Sequence, residues 1–71
     1  MSQMRDLLDK LVVEMVDRGV DFEDARTEFD KRFIARVLDK SDGNLCRAAE
    51  ILGVHRNTLA RQIKKLKIRG R

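Results

Sequence analysis

The stretch LCRAAEILGVHRNTLARQIK, Leu45 to Lys64, decides the fold. It has the layout of two short helices joined by a tight turn. Ala48 and Ala49 are small, as closely crossing helices require, and Gly53 stands four residues after Ala49, where the turn needs a positive φ. Ile51, Leu52 and Val54 are placed to plug the space between the helices, and Leu59, Ile63 and Leu66 give the second helix a narrow inward face. At about 100° per residue, the opposite face carries Asn57, Arg61 and Lys64, with Thr58, Ala60 and Lys65 at its flanks.

Working back from this motif, Ser41, Asp42 and Gly43 supply a turn, and Asn44 suits the cap of the following helix. Upstream, apolar residues recur three and four apart, helix formers dominate and there is no proline, which predicts an all-α chain of four helices. The first is expected from Gln3 to Arg18, capped by Ser2 and stopped by a left-handed Gly19 that lets Val20 fold back onto Met15. Its stripe of Met4, Leu7, Leu8, Leu11, Val12, Met15 and Val16 is wider than one neighbouring helix needs. One edge is therefore assigned to the chain's own core and the other to a partner subunit, with Leu8, Leu11 and Met15 at the seam. The second helix is expected to start after Asp21, with its carboxylate as cap, and to end near Lys40. Phe22, Phe29, Phe33 and Val37 line one side of it, beside Ile34 and Leu38. No polar groups converge on these aromatic rings, so they read as core packing rather than a ligand box.

Length and composition narrow the function classes. A chain of 71 residues leaves room for one domain. With one cysteine it has no internal disulfide, and Cys46 and His55 alone make no metal-ligand spacing, so no metal or cofactor is expected. At 42% hydrophobic residues without those staples, self-association is the simplest cover for surplus apolar surface. Charge is uneven: residues 1–30 carry four basic and nine acidic side chains, whereas residues 31–71 carry twelve basic and three acidic. The basic half suits a polyanion and the acidic half holds the rest of the molecule away from it. No signal-like or membrane-spanning apolar run stands near the charged start of the chain, so a cytoplasmic protein without a membrane partner is expected.

Residue types on the exposed face of the last helix fit duplex DNA. Arg binds a guanine edge bidentately, Asn pairs with adenine, and Thr reaches a phosphate or a thymine methyl. His55 and Arg56 open that helix, where free N–H groups favour a phosphate. Lys64, Lys65, Lys67, Arg69 and Arg71 add charge that strengthens binding to any sequence. A Cys46 thiol in the first turn of the third helix, beside Arg47, has the setting of a redox sensor, but an inert, partly buried thiol is the plainer expectation. The acidic residues Asp17, Asp21, Glu23, Asp24 and Glu28 sit at a helix end and along its surface and form no catalytic constellation, so an enzyme is not expected.

From Gly43 to Leu66 the chain resembles the C-terminal helix-turn-helix of the Fis family, found also as the output domain of NtrC-type activators. The matching features are Gly43-Asn44, Arg47-Ala48-Ala49, Leu52-Gly53-Val54, Arg56-Asn57-Thr58-Leu59 and the basic run that follows. Helix 2 continues the likeness more weakly from about Phe29 to Lys40. The resemblance implies a homodimer in which two helices from each subunit intertwine, with Phe22 and Phe29 joining the seam, while paired recognition helices enter adjacent major grooves of bent DNA. It assigns DNA contacts to Asn44, Arg47, His55, Arg56, Thr58, Ala60 and Arg61. Ala60 departs from the Arg or Lys common at that place, and no N-terminal hairpin arm precedes the first helix, so control of a recombinase is not implied.

The expectation is therefore a single Fis-like domain, with dimerisation helices in residues 1–42 and a helix-turn-helix with basic tail in residues 43–71. It would serve as a nucleoid-associated protein or transcription regulator, with double-stranded DNA and a second copy as partners and the transcription machinery as a further candidate. A piece of a larger NtrC-type activator and a protein-interaction module that no longer binds DNA are the alternatives.

Overall fold

The computed structural model describes residues 2–68. It is all-α, with four helices: α1 (Ser2–Asp17), α2 (Phe22–Lys40), α3 (Leu45–Leu52) and α4 (Arg56–Leu66). The same device closes each of them. After each helix, a residue in the left-handed region turns the chain so that two consecutive N–H groups reach back to the last carbonyls. Gly19 does this for α1 at φ 73°, with Val20 N–H donating to Met15 O at 2.9 Å, as expected from the sequence. Gly53 does it for α3 at φ 72°, with Val54 N–H on Ala49 O at 3.0 Å. The other two stops use residues with side chains: Asp42 (φ 52°) after α2 and Lys67 (φ 56°) after α4.

The starts are less uniform. Asn44 caps α3, its Oδ1 accepting from Arg47 N–H at 3.1 Å. Asp21 stands at the N-cap of α2 but its carboxylate makes no capping hydrogen bond, so its contribution is confined to charge, together with Glu23 and Asp24 in the first turn. Ser2 is the first residue of α1 rather than its cap.

Helices α2, α3 and α4 pack on one another around Val37, Leu38, Ala48, Ala49, Leu59 and Ile68. Ala48 is fully buried, and Leu59 is 1% exposed at the centre. Leu52, Ile63 and Leu66 pack against this cluster, but Ile51 and Val54, expected as plugs, lie exposed. Ile68 joins the core because the left-handed Lys67 brings it back over α4, its N–H on Ile63 O at 3.0 Å.

The N-terminal half is built differently. None of the 16 residues of α1 is buried. Phe22 is 78% exposed, and Phe29 and Phe33, whose rings tilt against each other with centroids 5.4 Å apart, are each half open. The aromatic stripe thus lies outside this chain's own core. Leu11 and Met15 from α1 and Phe29 and Phe33 from α2 instead line an apolar hollow of about 340 Å³ with Glu28 and Arg32 at its rim.

Candidate nucleic-acid interface

The geometry of α4 follows from its pattern. Burial of Leu59, with Ile63 and Leu66 partly covered beside it, fixes the rotation of the helix on the core. Asn57, Ala60, Arg61, Lys64 and Lys65 are left exposed on the other side, and Thr58 is half-buried at the edge. Arg61 Nη2 donates to Thr58 Oγ1 at 3.4 Å, so a residue at the flank steadies the guanidinium in the middle of the face. Lys64 and Lys65 fall in the last turn, where the carbonyl end of the helix favours cations.

At the front of α4, His55 is the N-cap, with Nδ1 accepting from Asn57 N–H at 3.1 Å. The sequence placed His55 at the helix start without assigning it that role. Imidazole is not among the usual capping groups, which are short hydroxyl, amide and carboxylate side chains. Arg56, the first residue of the helix, is exposed beside it.

Asn44 and Arg47 are exposed at the start of α3. Asn44 Oδ1 accepts from the backbone of Arg47, which orients the side chain and leaves its amide N–H₂ for another partner. Cys46, expected to be partly buried, is exposed in the first turn, where it borders a shallow hollow with Asn44, Arg47, Glu50 and Ile51. Arg69 and Arg71 lie outside the described residues.

These cations have few competitors. The ion pairs among the described residues, Arg18–Glu14 at 3.2 Å, Arg26–Asp30 at 3.9 Å and Arg32–Glu28 at 3.5 Å, all lie on α1 and α2. Arg47, Arg56, Arg61, Lys64 and Lys65 take part in none of them, so the surface from α3 to α4 presents its charge outward. Among the described residues no group of His, Cys, Asp and Glu is arranged to hold a metal ion. Among the described residues no helix is long and apolar enough to cross a membrane.

Comparison with known families agrees with the geometry. The family model described as bacterial regulatory protein, Fis family, matches residues 25–66, which is 42 of the 71 residues and covers most of α2 with all of α3 and α4. Neither a curated protein nor a solved structure matches the chain. A three-helix core with a left-handed glycine turn and an outward basic helix, matched along its length by this model, places the chain in the Fis family of bacterial regulatory proteins, whose helix-turn-helix binds DNA.

Proposed function

We propose that the protein is a homodimeric regulator or nucleoid-associated protein that holds duplex DNA through α4 and bends it. The observation that carries the DNA reading is the rotation of α4: a single buried leucine turns Asn57, Arg61, Lys64 and Lys65 to the outside together. Arg61 and Asn57 are suited to base edges, Arg56, Lys64 and Lys65 to phosphates, and Asn44 and Arg47 to the backbone on the far side of the groove. Thr58 positions Arg61, and Ala60 offers a small apolar surface to a thymine methyl.

Three features support the dimer. Leu7, Leu8, Leu11, Val12 and Val16 on α1 and Phe22, Phe29 and Phe33 on α2 form an uncovered apolar surface far larger than isolated exposed side chains make. The single chain exposes 6264 Å², whereas a compact monomer of 8.3 kDa exposes about 4,600 Å². Its radius of gyration is 13.7 Å, against about 11 Å for a compact chain of this length. The excess area is of the order of that buried per subunit in an obligate dimer. A second copy covers α1 and the front of α2, so residues 1–42 carry assembly and residues 43–71 carry DNA. Work on DNA places the protein in the cytoplasm, at the nucleoid.

Light scattering on the purified protein, followed by titration of a mixed-sequence duplex of about 25 base pairs at low and moderate salt, tests both parts. A dimer whose affinity falls steeply with added salt is expected. A folded protein without affinity at low salt would instead make it an interaction module with a helix-turn-helix shape. A monomer that binds DNA would retain the interface and discard the dimer.

A further inference from the structure

The turn between α2 and α3 sets a carboxyl group beside a backbone nitrogen with which it can react. Asp42 is followed by Gly43, and no other aspartate or asparagine in the chain precedes a glycine. Glycine has no Cβ to shield its nitrogen, so the carboxyl carbon of the preceding aspartate can close on it in a five-membered ring. Six of the eight aspartates lie inside α1 or α2, where helical geometry holds the next N–H along the axis and away from the side chain, and Asp21 precedes the bulky Phe22. Asp42 lies outside every helix, is exposed, and takes the left-handed region at φ 52°, which costs an aspartate more than it would a glycine. No ion pair among the described residues engages its carboxylate. What restrains the nucleophile is the bond that closes α2, Gly43 N–H donating to Leu38 O at 2.9 Å.

We propose that Asp42-Gly43 is a self-modification site, where opening of the α2–α3 turn lets the chain isomerise to isoaspartate and so loosens the helix-turn-helix. The reaction needs only water. In the opened turn the Gly43 nitrogen attacks Cγ of Asp42: the N–Cγ bond forms, a Cγ–O bond breaks, and the acid's hydroxyl leaves as water with the amide proton. Water then adds to the main-chain carbonyl carbon of the cyclic imide and breaks its bond to nitrogen. The backbone now runs through Cγ, and the α-carboxylate hangs free as the side chain. Mass is unchanged, but the main chain is one carbon longer. Three successive N–H groups depend on the original spacing, those of Asp42, Gly43 and Asn44, which donate to Asp39 O, Leu38 O and Ser41 O at 3.2, 2.9 and 2.9 Å. Asn44 in turn caps α3. The lengthened turn cannot keep all of these in register, so α3 loses its cap and its fixed approach to Val37 and Leu38. None of this depends on what the protein binds.

The test incubates the full chain, folded or in urea, at neutral pH and body temperature. Isoaspartate is located by peptide mapping and counted by methyl transfer from labelled S-adenosylmethionine, catalysed by an isoaspartyl methyltransferase. The folded chain should accumulate isoaspartate at Asp42 before any other aspartate, at least about tenfold more slowly than in urea, because the reaction waits for the turn to open. Asp42→Gly, which keeps the left-handed turn and removes the carboxyl, should abolish methyl acceptance. The isomerised chain, separated by reversed-phase chromatography and refolded, should melt about 5 °C or more below the parent, the shift that follows loss of a helix cap. Four outcomes would overturn the proposal: no isoaspartate in the folded chain while the sample in urea converts, equal rates in the two, methyl acceptance that survives Asp42→Gly, or an isomerised chain that melts with the parent.

Discussion

The two halves of this chain solve the same packing problem in opposite ways. From Val37 to Ile68, three helices close a core whose central leucine is almost completely sealed. From Ser2 to Phe33, an equally apolar sequence packs almost nothing within its own chain. Apolar content does not distinguish the halves; small residues do. Ala48 and Ala49 let α3 approach its neighbours closely, and Gly53 turns α4 back across them. The front half has no such close-approach pair between α1 and α2, so large side chains hold the helices apart and leave a hollow.

The contrast is sharpest in substitutions of the same residue type. Leu11→Asp should place two carboxylates in the proposed dimer seam and remove about 2 kcal/mol of burial from each subunit before any desolvation cost. Dimer and DNA binding should be lost together by light scattering and duplex titration, and a variant that stays dimeric would reassign the seam. Leu59→Ala should instead strike the single chain, by about 2–5 kcal/mol in a thermal or urea melt, and unfold α3 and α4. A small loss there would mean that the core of the C-terminal half is looser than its burial indicates.

On the open face of α4, Arg61→Ala should weaken DNA binding by about 1–3 kcal/mol and leave the melting temperature in place. Unchanged affinity would remove Arg61 from the contacts. Gly53→Ala isolates the turn, because an added Cβ would meet nothing within 4 Å and only the strain of positive φ remains. A loss of about 1–2 kcal/mol in stability is expected, and a larger one would reveal a steric role for the glycine. The smallest effect has the opposite sign. Ser41 is buried at the end of α2, and its hydroxyl has no partner among the described residues. Ser41→Ala should be neutral or raise stability by up to about 1 kcal/mol, and a destabilised variant would show that the hydroxyl is satisfied in solution.

Features set by local chemistry were legible in the sequence. Gly19, Gly53 and Asn44 announce turns and a cap because few other residues do these jobs, and the period of Leu59, Ile63 and Leu66 orients α4 without knowledge of its neighbours. What escaped depends on partners distant in sequence. Ile51 and Val54 look as apolar as Leu52, yet only Leu52 packs against the core, and nothing in the residue types decides which. Asp42 lies in the turn that the sequence placed after Lys40, but Lys67 takes a left-handed conformation usually left to glycine, so the inward return of Ile68 went unseen. His55 was legible as a residue at the helix start but not as its cap, because imidazole seldom fills that role. The aromatic stripe was read as core packing, yet Phe22, Phe29 and Phe33 lie outside this chain's core, because periodicity marks an apolar face without stating what covers it.

The brevity of α3 has a consequence for anyone wishing to transplant the reading head onto another scaffold. Eight residues are too few to hold a helix in water, and the core on which α3 rests draws Val37 and Leu38 from α2. Cutting between residues 42 and 43, the proposed divide between assembly and DNA binding, would therefore remove a wall of the structure it aims to preserve. The smallest graft with prospects of folding begins upstream of Ile34, and whatever is fused to it inherits the direction in which α2 enters.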